Sequence, residues 1–343
     1  MSGEMFNLAV VGAGMASVPH VASLVEMQDR VVVRHVIART LDRACAMAKK
    51  LPYAKVGLDL DTVLKDKQVD GVLLLTPPNT HLDLGARIAA AGKHLLVEKP
   101  IEVTTQKARS LVAICQQYNV VAAVVLQHRT RSASVKLRQL LRSGALGGIN
   151  SANVSVPWWR PQSYYDEPGR GTFARDGGGV LMTQAIHTLD LFLWLLGNPT
   201  EVFAYATTSK SHRMECEDTV VGVMKYASGC VASLYASTAT FPGFAERIEI
   251  CGAKGTATFT AGKLQVTLVD GTQFDQGEEE ALGSGADPMA FSHKAHKAVL
   301  DNFIDAANKK TDPIASLRNA LDVHLLIDAL IASSMQNGPV SIL

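Results

Sequence analysis

The 343-residue chain is short of several things, each of which would have settled its class. No apolar run reaches the roughly 18 residues needed to span a bilayer. Met1 leads within a few residues into the strand-like Phe6-Asn7-Leu8-Ala9-Val10-Val11 with no basic segment before it, so neither insertion nor secretion is expected. Neither sign of charge dominates: 33 Lys and Arg against 32 Asp and Glu leave a net of +1, which removes the electrostatic argument for nucleic acid or anionic membrane as a partner. Cysteine is sparse. Cys45, Cys115, Cys216, Cys230 and Cys251 are odd in number and lack metal-type spacing, which argues against a disulfide framework or a metal centre and fits free thiols in the cytoplasm. There is no repeat and no low-complexity stretch. What remains is a chain about twice the length of a typical domain, which implies two folded domains and a small-molecule ligand.

The texture of the sequence changes partway along. Up to residue 125, short runs rich in Val and Leu alternate with segments of helical period, as strands buried on both faces of a parallel sheet require. The runs are Leu8 to Val11, Val31 to Ala38, Val69 to Thr76, His94 to Val97 and Val120 to Leu126; helices are predicted over Leu41 to Leu51 and Leu82 to Ala91. Beyond residue 148 the strands Glu201 to Thr207, Thr219 to Tyr226, Cys230 to Thr238 and Glu246 to Ile250 suggest an antiparallel sheet. Gly252-Ala253-Lys254-Gly255 reads as a tight turn. One apolar helix, Val180 to Leu196, interrupts the strands, and Phe291 to Met335 is helical in period.

The first strand ends in Gly12-Ala13-Gly14-Met15-Ala16-Ser17, a Gly-x-Gly-x-x-small turn opening a helix. Gly12 suits the tight turn, Gly14 lets backbone approach a pyrophosphate together with Met15 and Ala16, and Ser17 is small enough for helix to pack on strand. The helix N-terminus then holds the anion. Placed on the first strand of an alternating β/α pattern, the motif indicates an α/β Rossmann-type dinucleotide-binding domain over 1–125, followed by an α+β domain with a largely antiparallel open sheet over 126–343. The second strand runs Val36-Ile37-Ala38 into Arg39-Thr40, with no carboxylate where an NAD reader would hold the ribose hydroxyls. Arg39 and Thr40, with Arg43 a turn further on, suit a 2′-phosphate instead, so NADP(H) is expected to be preferred, with NAD(H) as the alternative.

Further along come Thr76-Pro77-Pro78-Asn79-Thr80-His81 and Glu98-Lys99-Pro100, then Gln127-His128-Arg129, Ser143-Gly144-Ala145-Leu146-Gly147, and Gly177-Gly178-Gly179 ahead of His187. This succession resembles the glucose-fructose oxidoreductase, inositol dehydrogenase and rhizopine-catabolism family, Gfo/Idh/MocA, over nearly the whole chain. The resemblance implies that Thr76, Pro77, Asn79, His81, Glu98, Lys99 and Gln127 serve the dinucleotide. It also implies that Lys99 is catalytic, that the bond before Pro100 is often cis, and that copies assemble through the second sheet. Many members carry an Asp four residues before the His; here that position is Thr183.

The residues support a chemical reading of their own. Lys99 follows a buried run and so sits at the carboxyl end of a central strand, where doubly wound sheets bind ligands. Burial and a cationic nicotinamide both disfavour its ammonium form, which favours its use as a base toward an alcohol. On the apolar helix Thr183, His187 and Asp190 share one stripe at spacings of four and three, which makes His187 a catalytic or substrate-binding candidate. Pro157-Trp158-Trp159-Arg160-Pro161-Gln162-Ser163-Tyr164-Tyr165 interleaves aromatic and polar groups as a sugar-binding loop would. Within it Trp159, Arg160 and Tyr165 are substrate candidates, as are Arg129 at the junction and Thr183, which can hydrogen-bond a substrate hydroxyl, while Asp176 suits a helix cap. The expected activity is interconversion of a secondary alcohol and a ketone on a sugar, cyclitol or sugar-like acid. A diol or hemiacetal dehydrogenase of aromatic breakdown and a non-catalytic nucleotide or sugar sensor remain as alternatives. Val220-Val221-Gly222-Val223-Met224 and Val231-Ala232-Ser233-Leu234-Tyr235-Ala236 alternate little, which predicts a sheet covered on both faces, one of them by a second copy in a homodimer or homotetramer.

Overall fold

A computed structural model describes residues 5–277 and 292–342, and the chain divides into two compact units. In chain order the first runs β1 (Phe6–Val11), α1 (Ser17–Glu26), β2 (Val31–Ile37), α2 (Leu41–Ala48), β3 (Lys55–Gly57), α3 (Leu60–Lys65), β4 (Gly71–Leu74), α4 (His81–Ala90), β5 (His94–Val97), α5 (Thr105–Gln117) and β6 (Ala122–Val124). These strands form one parallel sheet in the order β3-β2-β1-β4-β5-β6. The order reverses between β1 and β4, which is where a doubly wound sheet opens a crevice at its carboxyl edge. Alternation along β1 sends Leu8 and Val10 into one apolar core and Ala9 and Val11 into the core on the other face.

The chain continues with α6 (Ser132–Arg142), β7 (Ile149–Pro157), α7 (Gln162–Tyr165), α8 (Phe173–Asp176), α9 (Val180–Thr183), α10 (Ile186–Leu196), β8 (Glu201–Thr207), β9 (Thr219–Lys225), β10 (Val231–Ser237), β11 (Arg247–Gly252), β12 (Gly255–Thr260), β13 (Lys263–Leu268) and β14 (Gln273–Gln276). It ends with α11 (Lys294–Lys309), α12 (Leu317–Gln336) and β15 (Val340–Ser341). The second sheet has the order β14-β13-β12-β11-β7-β10-β9-β8-β15 and is antiparallel throughout except where β7 lies parallel to β10. The expected turn at Gly252 to Gly255 is the hairpin between β11 and β12, closed by Ala253 and Lys254. No single helix among the described residues is long and apolar enough to cross a membrane.

Three expectations change. The first unit is Met1–Gln127 together with His293–Leu321, and the second is His128–Ser292 with Asp322–Leu343, so part of the tail assigned to the second domain returns to the first. The reason is an apolar stripe on α11: Val299, Leu300, Phe303, Ile304 and Ala307 join the core formed by Leu8, Val10 and Val36. Phe303 meets Phe6 edge to face at 6.0 Å, and Arg30 bridges Asp301 and Asp305 at 2.5 and 2.6 Å. Phe291, where the helical tail was expected to begin, lies outside the described residues. Secondly, the apolar stretch from Val180 to Leu196 is two helices, α9 and α10, broken at Gln184 and Ala185. Thirdly, the strands of the second sheet do alternate, and the face turned away from the chain's own core is open among the described residues. Along β9 burial alternates strictly, with Val220, Gly222 and Met224 inside and Val221 and Val223 outside. The period is 2 after all, but the outward residues are themselves apolar and hide it.

Phe303→Ala should lower the unfolding free energy by about 3–5 kcal/mol, the usual cost of truncating a buried aromatic. Denaturant titration checks this, and a change under about 1 kcal/mol would contradict the assignment of α11 to the first unit's core.

Candidate active site

The glycine turn has the shape its sequence asks for. Gly12 has φ +110°, and a Cβ there would lie 2.6 Å from the carbonyl carbon and oxygen of Leu75, so only glycine fits between the ends of β1 and β4. A Cβ on Gly14 would meet nothing within 4 Å and point into open space. Ser17 Oγ donates to the Gly14 carbonyl at 2.7 Å, folding the turn onto the start of α1. The N-cap, Ala16, offers no side-chain acceptor, which leaves the first-turn amides to a ligand anion. Met15 and Ala16 are exposed beside them. These features fit the pyrophosphate of a dinucleotide. At the end of β2, Ala38 is buried, while Arg39, Thr40 and Arg43 are exposed.

Next to this turn a histidine ties two loops together. His81, fully buried, places Nε2 2.8 Å from the Thr76 carbonyl and Nδ1 3.1 Å from the carbonyls of Pro100 and Ile101. Both ring nitrogens face carbonyls, and burial pushes the basicity of the ring down against their pull. His81 therefore works behind the site, linking the Thr76-Pro77 turn to the Lys99–Pro100 peptide, which is cis. Thr80 Oγ1 donates to Thr76 Oγ1 at 2.7 Å, and Asn79 is exposed on the same turn. Lys99 follows β5 directly and is partly buried, and its main-chain N–H donates to Glu98 Oε2 at 3.0 Å. Gln127 is partly buried just beyond β6.

In the second unit, the glycine run is held by a residue that local spacing gave no reason to expect. A Cβ on Gly179 would lie 1.7 Å from the Glu217 carbonyl oxygen. The Glu217 carboxylate accepts from the amides of Gly179 and Leu181, both at 3.1 Å, so it caps α9 from 38 residues away. Burial raises its affinity for a proton against these donors. Asp176, expected as that cap, is the last residue of α8 and instead accepts from the Gly171 amide at 2.8 Å. Because the helix breaks, Thr183 and His187 do not share a continuous stripe. Thr183 Oγ1 bonds the Gly179 carbonyl at 2.7 Å and the Gln184 side chain, and His187, at the start of α10, lies ring to ring with His128 at 5.3 Å.

Three substrate candidates, Arg129, Tyr165 and Arg160, are engaged inside this unit, and Arg160 Nη1 donates to the Trp159 carbonyl at 2.8 Å. Arg129 is buried with its guanidinium forked onto Asp190, Nε to Oδ2 at 2.7 Å and Nη2 to Oδ1 at 2.5 Å. This pair anchors α10 and also accounts for Asp190 on the face of His187. Tyr165 is buried, with its hydroxyl bonded to Thr238 Oγ1 at 2.7 Å. Trp159 packs edge-on to Phe241 at 5.2 Å, while Arg160 is buried with its guanidinium 5.3 Å from the Trp158 ring and 5.6 Å from the Tyr164 ring. Burial lowers the pKa of Arg160, against the pull of the two tyrosines.

A parallel sheet of this order, with a glycine turn feeding a helix N-terminus and a lysine at the end of β5, defines the class of dinucleotide-binding oxidoreductases. Residues 6–126 match the oxidoreductase family with an NAD-binding Rossmann fold, and residues 134–258 match the GFO/IDH/MocA C-terminal domain. The chain belongs to the Gfo/Idh/MocA oxidoreductase family. It is similar to the rhizopine catabolism protein MocA of Rhizobium meliloti, 32% identical over 206 residues, a match that spans 59% of this chain and 61% of that protein. It is also similar to the myo-inositol 2-dehydrogenase of Thermotoga maritima, 25% identical over 73% of each chain. Among solved structures it resembles the WlbA dehydrogenase from Bordetella pertussis in complex with NADH and UDP-GlcNAcA, 27% identical with a TM-score of 0.84 over 99% of both chains.

Proposed function

We propose that the protein is a cytoplasmic oxidoreductase, preferring NADP(H) over NAD(H), that interconverts a secondary alcohol and a ketone on a sugar, cyclitol or sugar-like acid. The observation that carries this reading is Lys99 at the carboxyl end of β5, in the same unit as a glycine turn open to a pyrophosphate. Relatives named for inositol and rhizopine chemistry and a neighbour bound to a nucleotide sugar acid support the substrate class. Bound nicotinamide supplies the two-electron acceptor or donor. Lys99 Nζ takes the hydroxyl proton during oxidation and returns it during reduction. His187 orients the substrate hydroxyl or relays its proton. With Thr183 in place of a carboxylate, these two residues carry the proton chemistry. Trp159 and Arg160 are assigned to the substrate ring and to an anionic substituent, whereas the engagement of Arg129 with Asp190 and of Tyr165 with Thr238 favours supporting roles. The absence of any carboxylate at Ala38 and the exposed Arg39, Thr40 and Arg43 support recognition of a 2′-phosphate.

The second sheet also supports self-association. Its outer face exposes Tyr205, Val221, Val223 and Val231, and a groove of about 520 Å³ on that face runs past Phe203, Val223 and Val231. An apolar face of this kind suits a second copy of itself in an isologous homodimer, or a tetramer built from such pairs.

A panel of sugars, cyclitols and sugar acids, followed at the absorbance of reduced nicotinamide, identifies the substrate. On it Lys99→Ala and His187→Ala should each lower turnover by about a hundredfold or more while leaving dinucleotide affinity nearly intact. Near-normal turnover in either variant would remove that residue from the chemistry. NADP(H) should bind roughly ten- to a hundredfold more tightly than NAD(H), matching one charge-assisted phosphate contact of about 1.5–3 kcal/mol. Equal affinities, or an Arg39→Ala variant with unchanged NADP(H) binding, would overturn the preference. Light scattering at micromolar concentration should give a dimer or tetramer that Val223→Asp dissociates without unfolding; a monomer would contradict the interface.

A further inference from the structure

We propose that His20 and His296 are positioning residues for Lys99, acting through the buried carboxylate of Glu98. The inference rests on the catalytic assignment of Lys99 made above. Three elements converge here: α1 brings His20, the end of β5 brings Glu98, and α11 brings His296. All three side chains are buried. His20 Nε2 lies 2.8 Å from Glu98 Oε1, the His20 and His296 rings meet edge to face at 5.1 Å, and one nitrogen or oxygen from each residue lies within 4.8 Å of the other two. The other carboxylate oxygen, Oε2, accepts the main-chain N–H of Lys99 at 3.0 Å. Glu98 is thus a two-ended clamp, one oxygen on α1 and the other on the backbone of the lysine.

The clamp works only while Glu98 is ionised, because a protonated carboxyl loses one of its two acceptors. Burial favours the proton, yet the hydrogen bond from His20 and the fields of His20, His296 and Lys99 outweigh it and hold Glu98 below the usual carboxylate range. The titratable groups facing Glu98 are His20 from α1, His296 from α11, Lys99 beside it and, more remotely, His81 from α4. The same three side chains also suggest a divalent cation site. That would take the lone pair of His20 Nε2, which at 2.8 Å acts as a donor to Glu98.

The test compares His20→Leu, His20→Gln, His296→Leu and Lys99→Ala in the full-length protein. Leucine removes the donor to Oε1, so Glu98 takes up its proton at higher pH and the grip on the Lys99 amide fails sooner on acidification. His20→Leu should lower kcat by about tenfold and move the acid limb of the kcat–pH profile up by about one pH unit, with dinucleotide affinity within about twofold of the parent. Glutamine still presents an N–H to Oε1, so His20→Gln should recover most of kcat and return the limb. His296→Leu should move the limb in the same direction by less, a reading that stands even if His20→Leu does not fold. An inactive Lys99→Ala beside histidine variants with unmoved acid limbs would overturn the positioning role alone. An active Lys99→Ala would overturn the catalytic assignment and the inference with it. Stoichiometric binding of added zinc, lost in His20→Leu and His296→Leu, would overturn the clamp in favour of a cation site.

Discussion

A side-chain carbon at Gly12 would sit 2.6 Å from the Leu75 carbonyl, and much of the first unit follows from that approach. With β1 and β4 adjacent and parallel, the chain leaving β1 must pass over the end of β4 with no Cβ in between. That turn delivers α1 with uncapped amides beside the same sheet edge at which β4 and β5 release the Thr76 and Lys99 turns. His81 then joins these two turns through carbonyls, and Glu98 joins the second of them to α1. The glycine turn and Lys99 are therefore mechanically one assembly within this unit. It is built from buried polar groups, each of which needs its partner because water does not reach them.

The second unit solves a similar problem with buried charge. Asp190 faces solvent nowhere, and the fork of Arg129 repays part of its desolvation; removing either partner leaves an uncompensated ion at a cost of about 3–5 kcal/mol. Glu217 likewise sits among amides that α9 cannot satisfy internally. Both pairs fix the segment from Gly179 to Asp190, and so the position of His187.

How much of this was legible in the sequence depended on range. The buried strands announced themselves by short apolar runs, and the glycine turn and Lys99 by the ends of those runs. Edge strand β3, only three residues long, and α3 carried too little periodicity to stand out. The pairing of Arg129 with Asp190 across 61 residues and the capping of Gly179 by Glu217 across 38 left no local signal at all. The helix break had the opposite cause. The stretch is apolar on nearly every side, so periodicity could not register a change of axis at Gln184. Apolar residues on both faces of β9 concealed its alternation for a related reason.

In the proposed reaction a substrate carbinol and a nicotinamide exchange hydrogen directly in the presence of Lys99. The measurement closest to it uses cyclitols, sugars and sugar acids deuterated at their carbinol carbons, incubated with the enzyme and oxidised dinucleotide, with the reduced dinucleotide analysed by mass spectrometry. Direct transfer places one deuterium in the dinucleotide for each ketone formed. Ketone formed with no deuterium transferred, or dinucleotide bound but never reduced across the whole panel, would contradict it.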